Sequence, residues 1–184
     1  MAFQVSEAEG LGLHSQLTGR ISVTKKVLFV CMGNICRSPA GEAVMQRFAE
    51  EFGVDVEVDS AGTHDYHVGE LADKRMNSAA EMRGYELLSR GRQVTPADLD
   101  PSRFDLVLAM DRENHALLLE MTSGPKSHIR LFGDYLDDQW PPDVPDPYYG
   151  DQDGFDKVLD MLEEGCPIIL QTLVGEDIFE DEFE

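Results

Sequence analysis

Residues 31–39 read Cys-Met-Gly-Asn-Ile-Cys-Arg-Ser-Pro. A cysteine and an arginine separated by five residues, here Cys31 and Arg37, have a specific chemical use. If the intervening loop curls, the backbone N–H groups of Met32, Gly33, Asn34, Ile35 and Cys36 converge into a nest for an anion. The amino terminus of a following helix adds partial positive charge. The planar fork of Arg37 can grip two oxygens of a phosphate. The same field favours a thiolate at Cys31, since such surroundings bring cysteine pKa values to roughly 3.5–7.5. Ser38 can donate a hydrogen bond to that thiolate and cap the helix, while Gly33 and Asn34 tolerate left-handed backbone. The arrangement suits a cysteine that attacks phosphorus and holds the phosphoryl group covalently. A bare Cys-x5-Arg would equally fit a buried structural cysteine in an ordinary turn. Ser38 in register and the Gly/Asn pair speak for chemistry.

Displacement at a phosphate ester also needs an acid for the leaving oxygen. The segment Val-Pro-Asp-Pro-Tyr-Tyr-Gly over 144–150 offers Asp146 between two prolines that fix its backbone. Tyr148 and Tyr149 beside it can wall a slot for an aromatic ring. Taken by itself, one aspartate in so acidic a loop is more often simply solvated.

The surrounding pattern says what must position these groups. Val27 to Val30 is a short apolar run, the mark of a strand buried on both faces. Ser38-Pro39 reads as a helix start, with Ser38 as N-cap. Ala43, Val44, Phe48 and Phe52 space out as one helix face that Gly53 ends. Residues 54–58 alternate as a second strand, and a loop over 60–71 leads to a helix around 73–83. A third strand covers 106–110, with Asp111 as a cap for the helix that follows, and a fourth covers 129–132. The last amphipathic segment runs from Phe155 to Leu173, where Pro167 should kink or split the helix. Strand–helix alternation implies an α/β fold with a parallel sheet, and its functional loops lie at the carboxyl ends of strands.

Composition bounds the rest. The 184 residues are 42% hydrophobic, enough for one domain with a real core, and the apolar runs are too short to span a bilayer. No basic start or apolar leader is visible, and three cysteines fit a reducing compartment, with the cytoplasm as default. Residues 1–24 read as a flexible extension, 25–174 as the domain and 175–184 as an acidic, solvated tail. The formal charge is −21, and 17 of the 36 acidic residues follow residue 130, against Lys157 alone. So negative a field argues against nucleic acid or an anionic membrane as partner. It should also disfavour acidic phosphopeptides and help keep Asp146 protonated.

The loop 31–39, Ser60-Ala-Gly-Thr, Ala109-Met-Asp-Arg and Asp146-Pro-Tyr-Tyr stand in the order of the low-molecular-weight protein tyrosine phosphatases. The chain resembles that family from about Lys25 to about Leu173. The resemblance implies a four-stranded parallel sheet flanked by helices, with the phosphate-binding loop after the first strand. It implies metal-free hydrolysis of phosphotyrosine proteins or small aryl phosphates in two steps; no cofactor is expected, and of the oligomeric states a monomer is favoured. Cys31 is then the nucleophile, Arg37 the phosphate clamp, and Asp146 the general acid and later base. Asn34, Ser38 and Ser60 match the network that holds the loop, and Tyr66 and Tyr148 match aromatic positions beside the substrate. Ser89 stands where several members have a histidine in that network.

Cys36 matches a cysteine that in many eukaryotic members resembles a resolving thiol, and it also fits as a small packing residue. His64 and His67 flank Asp65 without a third metal ligand of clear spacing. Two related enzymes share this fold. An arsenate reductase needs further relay cysteines, and Cys166 falls on a helix face. Arginine phosphatases usually carry threonine where Ile35 stands. A phosphate-binding module without turnover would typically lack the nucleophile or the acid.

Overall fold

The structure, a computed structural model, describes residues 24–175. The expectations for the extension and the acidic tail therefore lie almost wholly outside the described residues. Four strands form one sheet: β1 (Lys25–Cys31), β2 (Val56–Gly62), β3 (Leu106–Ala109) and β4 (Ile129–Leu131). Their order is β2-β1-β3-β4 and every pairing is parallel. Four α-helices connect or follow them: α1 (Arg37–Phe52), α2 (Lys74–Met82), α3 (Arg112–Met121) and α4 (Gln152–Val174).

The apolar run of β1 explains its central place. Val27 and Phe29 point into a core with α1, α2 and α4, while Leu28 and Val30 point into a second core with Leu99, Phe104 and Leu118. That is the period-two alternation of a strand covered on both faces. Each such side chain contributes about 1.5–3 kcal/mol on burial. α1 lies close to the sheet because Gly41 faces Phe29; a Cβ there would come within 2.6 Å of the ring. Arg83, just past α2, ties that helix to α4 through Asp156, Asp160 and Glu163 at 3.2, 2.7 and 2.9 Å.

Three local expectations need correction. α1 begins at Arg37 with Cys36 as N-cap, so Ser38 lies inside the first turn. The Ser38 hydroxyl is used within the preceding loop, and Pro39 still falls where a helix has no amide to lose. β2 runs on to Gly62, because Ser60, Ala61 and Gly62 pair with Phe29, Val30 and Cys31. α4 passes through Pro167 without dividing, since Cys166, Ile169 and Leu170 are fully buried and hold both halves in the core. Gly53 ends α1 in the left-handed conformation, as its position suggests.

Candidate active site

β1 ends at the point where the chain order reverses, with β2 on one side and β3 on the other. Open parallel sheets have their crevice there. Loop 31–37 leaves β1 at this point and turns directly into α1. Its outer carbonyls are taken from elsewhere: Thr63 N donates to Cys31 O at 2.8 Å, His64 N to Met32 O at 3.0 Å, and Asp73 N to Ile35 O at 2.8 Å. The amide edges are thereby free to face the sulfur, and Asn34 N donates to Cys31 Sγ at 3.3 Å. Asn34 has φ 55° and is the one non-glycine residue with positive φ among those described. Gly33 does not share that conformation; it supplies space, with a Cβ falling 3.0 Å from the His67 ring. Gly62 is also required, because a Cβ there would lie 2.7 Å from Met32 O.

The side chain of Asn34 supports the loop from behind. Its Nδ2 donates to Ser38 Oγ and Ser60 Oγ, both at 2.9 Å, and its Oδ1 accepts from Arg92 N at 2.9 Å. Ser38 Oγ lies 3.1 Å from Cys31 Sγ and 3.2 Å from Ala61 O. With its lone pair engaged by Asn34, the hydroxyl has one proton to give to either neighbour. Ser60 in turn donates to Glu42 Oε2 at 2.5 Å. Burial pushes the Glu42 carboxyl above its usual range, against the hydrogen bonds from Ser60 and Ser89. Ser89 thus reaches this network through Glu42.

A carboxyl raised in the folded state stabilises the fold below its unfolded pKa, and that contribution is lost as pH rises through the folded value. Glu42→Gln removes the buried charge and keeps an acceptor for Ser60. Its melting temperature is therefore expected to exceed the parent's near neutral pH, and the difference should shrink on acidification through the carboxylate range. A difference independent of pH would show that packing, and not charge, decides at this position.

Arg37 is almost fully buried, and its guanidinium reaches three partners brought from far along the chain. Nη1 donates to Asp111 Oδ2 at 2.5 Å and to Val144 O at 3.2 Å; Nη2 donates to Asp146 Oδ2 at 3.1 Å. Desolvation opposes its charge, but Cys31, Asp146 and Asp111 outweigh it and hold its pKa above the ordinary value. Asp111 also accepts from Asn114 N at 2.7 Å as the N-cap of α3. One carboxylate thus serves the helix start and the clamp together. Asp146 Oδ1 accepts from Tyr148 N at 3.1 Å, which turns the chain so that the tyrosines flank the opening.

The resulting slot of about 120 Å³ is lined by Cys31, Met32, Gly33, Ile35, Cys36 and Arg37 at its base and by Tyr66, His67, Asp146, Tyr148 and Tyr149 above. Every residue singled out for nucleophile, clamp, acid and aromatic wall lies on it. Asn34, Ser38 and Ser60 lie behind it as supports. Asp111, Glu42 and the Val144 carbonyl were not assigned to the site from sequence. The signal for Asp111 was present in Ala109-Met-Asp-Arg, but its capping role accounted for it. His64 and His67 go separate ways: His64 meets Thr63 Oγ1 and stacks on Tyr66, while His67 meets Glu70 at 2.7 Å. Burial, and then Asp73, pushes the Cys36 thiol well up, which disfavours it as an attacking thiolate.

Known proteins resemble this chain in sequence and in fold. The sequence profile of the low molecular weight phosphotyrosine protein phosphatases matches residues 26–178. A low molecular weight protein-tyrosine-phosphatase of Streptomyces coelicolor is 42% identical over 162 residues, covering 82% of this chain and 94% of the relative. The crystal structure of a protein tyrosine phosphatase from Entamoeba histolytica with Hepes in its active site superimposes with a TM-score of 0.78 at 40% identity. It covers 83% of this chain and 99% of its own. A Drosophila arginine phosphatase gives a TM-score of 0.76 at 32% identity, covering 83% of this chain and 99% of its own.

Proposed function

Because the chain belongs to the low molecular weight phosphotyrosine protein phosphatase family, we propose that the slot at the end of β1 is where it hydrolyses phosphotyrosine, with Cys31, Arg37 and Asp146 as its catalytic residues. The protein is a phosphoric monoester hydrolase of the tyrosine phosphatase class. In the first step the sulfur of Cys31 attacks phosphorus, the bond from phosphorus to the phenolic oxygen breaks, and Asp146 gives that oxygen its proton. In the second, Asp146 takes a proton from water as the water oxygen attacks phosphorus. The sulfur–phosphorus bond then breaks and inorganic phosphate leaves. The loop amides and Arg37 hold the equatorial oxygens, where charge gathers in both transition states.

The observation that carries this reading is the meeting of Arg37 Nη2 and Asp146 Oδ2 at 3.1 Å, on the slot that holds Cys31. In the free protein Asp146 partners the clamp that a phosphate would engage. Ile35 at the base and the tyrosines at the rim favour an aryl group, because the short stem of phosphoserine leaves the aromatic walls unfilled. No helix among the described residues is long and apolar enough to cross a membrane. Three buried, unbridged cysteines support a reducing compartment, and we place the protein in the cytoplasm.

A comparison of phosphotyrosine, phosphoserine, phosphoarginine and arsenate tests the assignment. Phosphotyrosine should turn over fastest, with an optimum below neutral pH because Asp146 enters the first step protonated, and without loss on chelation. Faster turnover of phosphoarginine would transfer the protein to the arginine phosphatases, the activity carried by the Drosophila neighbour.

A further inference from the structure

The catalytic slot opens sideways into a much larger groove, of about 1050 Å³, which shares Ile35, His67 and Tyr148 with it. α2 forms one wall. Lys74, Asn77, Ser78 and Glu81 face the groove at the spacing of a single helix stripe. The other wall comes from the segments before and after α2, which pair where Leu71 bridges Arg90. Leu71 and Leu88 stand there 56% and 77% exposed, beside Ala72 and Leu87. The groove is also tied to the acid-bearing loop, since Arg75 donates to Tyr148 O at 3.1 Å and lies 5.4 Å from the Tyr148 ring.

Its charge is one-sided. Asp73 is paired with Arg75, and Glu70 shares a hydrogen bond of 2.7 Å with the His67 ring. Glu81 accepts only from the neutral amide of Asn77, at 2.7 Å, and Glu86 has no cationic partner among the described residues. Glu81 and Glu86 therefore face the groove without an ion pair among the described residues, and Lys74 is the one lysine or arginine on its walls. Resting on the phosphotyrosine reading above, we propose that this groove binds the polypeptide on one side of the phosphotyrosine, and that it selects segments with an apolar residue and a lysine or arginine. Leu71 and Leu88 would cover the apolar side chain, and Glu81 and Glu86 would meet the cation. The shared lining makes a phosphoprotein strand the fitting occupant, because a chain anchored by its phosphotyrosine can leave past Tyr148 into the groove.

The test compares phosphopeptides carrying lysine or glutamate at each flanking position, with a small aryl phosphate as control. The parent enzyme should favour lysine-bearing peptides in kcat/KM on one side of the phosphotyrosine. Glu81→Lys/Glu86→Lys should reverse that preference by about fivefold to tenfold, with the effect fading at high salt. Leu88→Ser should lower kcat/KM about threefold for peptides with an apolar neighbour. All variants should turn over the small aryl phosphate within about twofold of the parent, because none of these residues lines the slot. Equal kcat/KM for lysine and glutamate peptides in the parent, or an unchanged ratio in the double variant, overturns the groove. Failure of the phosphatase reading would look different, as absent turnover of the small aryl phosphate itself.

Discussion

Cys31→Ser is expected to lower kcat on every phosphate ester by at least about 10⁴-fold, while leaving the fold and phosphate binding in place. Sulfur carries the proposed reaction because a thiolate is a strong nucleophile and leaves phosphorus readily in the second step; a serine oxygen attacks less readily and is a poorer leaving group. The surroundings of Sγ would do little to help an oxygen there. The Asn34 amide and the Ser38 hydroxyl stand 3.3 and 3.1 Å from sulfur, distances suited to its larger radius. The substitution removes little volume from a residue that is 3% exposed, so melting should change only slightly. Rapid quench with radiolabelled substrate checks it: the parent should retain label on Cys31 and the variant none. Undiminished turnover in the variant would remove Cys31 from the mechanism.

The second large effect is on the acid. Asp146→Ala should cost about 10²–10³ in kcat on phosphotyrosine and much less on an ester with an acidic phenol. The contrast arises because a nitrophenolate leaves without help, whereas tyrosinate needs a proton as the bond breaks. Asp146 also accepts from Arg37 at 3.1 Å, so alanine removes a partner of the clamp as well as the proton. Asp146→Asn separates the two roles. It retains an acceptor for Arg37 and cannot deliver the proton, so its leaving-group dependence should match that of alanine. An equal loss on both esters would assign Asp146 to positioning Arg37.

What could be read ahead of the structure followed from how locally the chemistry is written. Nine consecutive residues carry the proposed nucleophile, clamp and cradle, and the burial of β1 is explicit in its apolar run. Asp146 was different: one acidic residue among many, it drew its role from the resemblance. The contacts of Arg37 with Asp111 and Val144 span 74 and 107 residues, and no periodicity announces such meetings. Glu42 was hidden because a polar residue on α1 is normally solvated, whereas this one faces Ser60 on β2. In the sequence the second strand ends at Val58, because Asp59, Ser60 and Gly62 look like loop. The burial of Ser60 and Gly62 depends on loop 31–37 lying against them, through Asn34 and Met32, while Asp59 stays part exposed and pairs with Arg92. The start of α1 reads late in the sequence for a related reason, since Ser38 has the right chemistry for a cap but is engaged elsewhere.

The two oxygens of Asp111 bear on how this domain can be recombined with its relatives. One oxygen fixes where α3 starts and the other fixes Arg37, so α3 is not an exchangeable module. A chimera that takes its helix from a relative but keeps this chain's catalytic loop inherits whatever start that helix prefers. The arginine then follows the graft. A safe crossover keeps residues 109–114 together with the catalytic loop and with the backbone around Val144, and joins the foreign sequence beyond the first turn of α3.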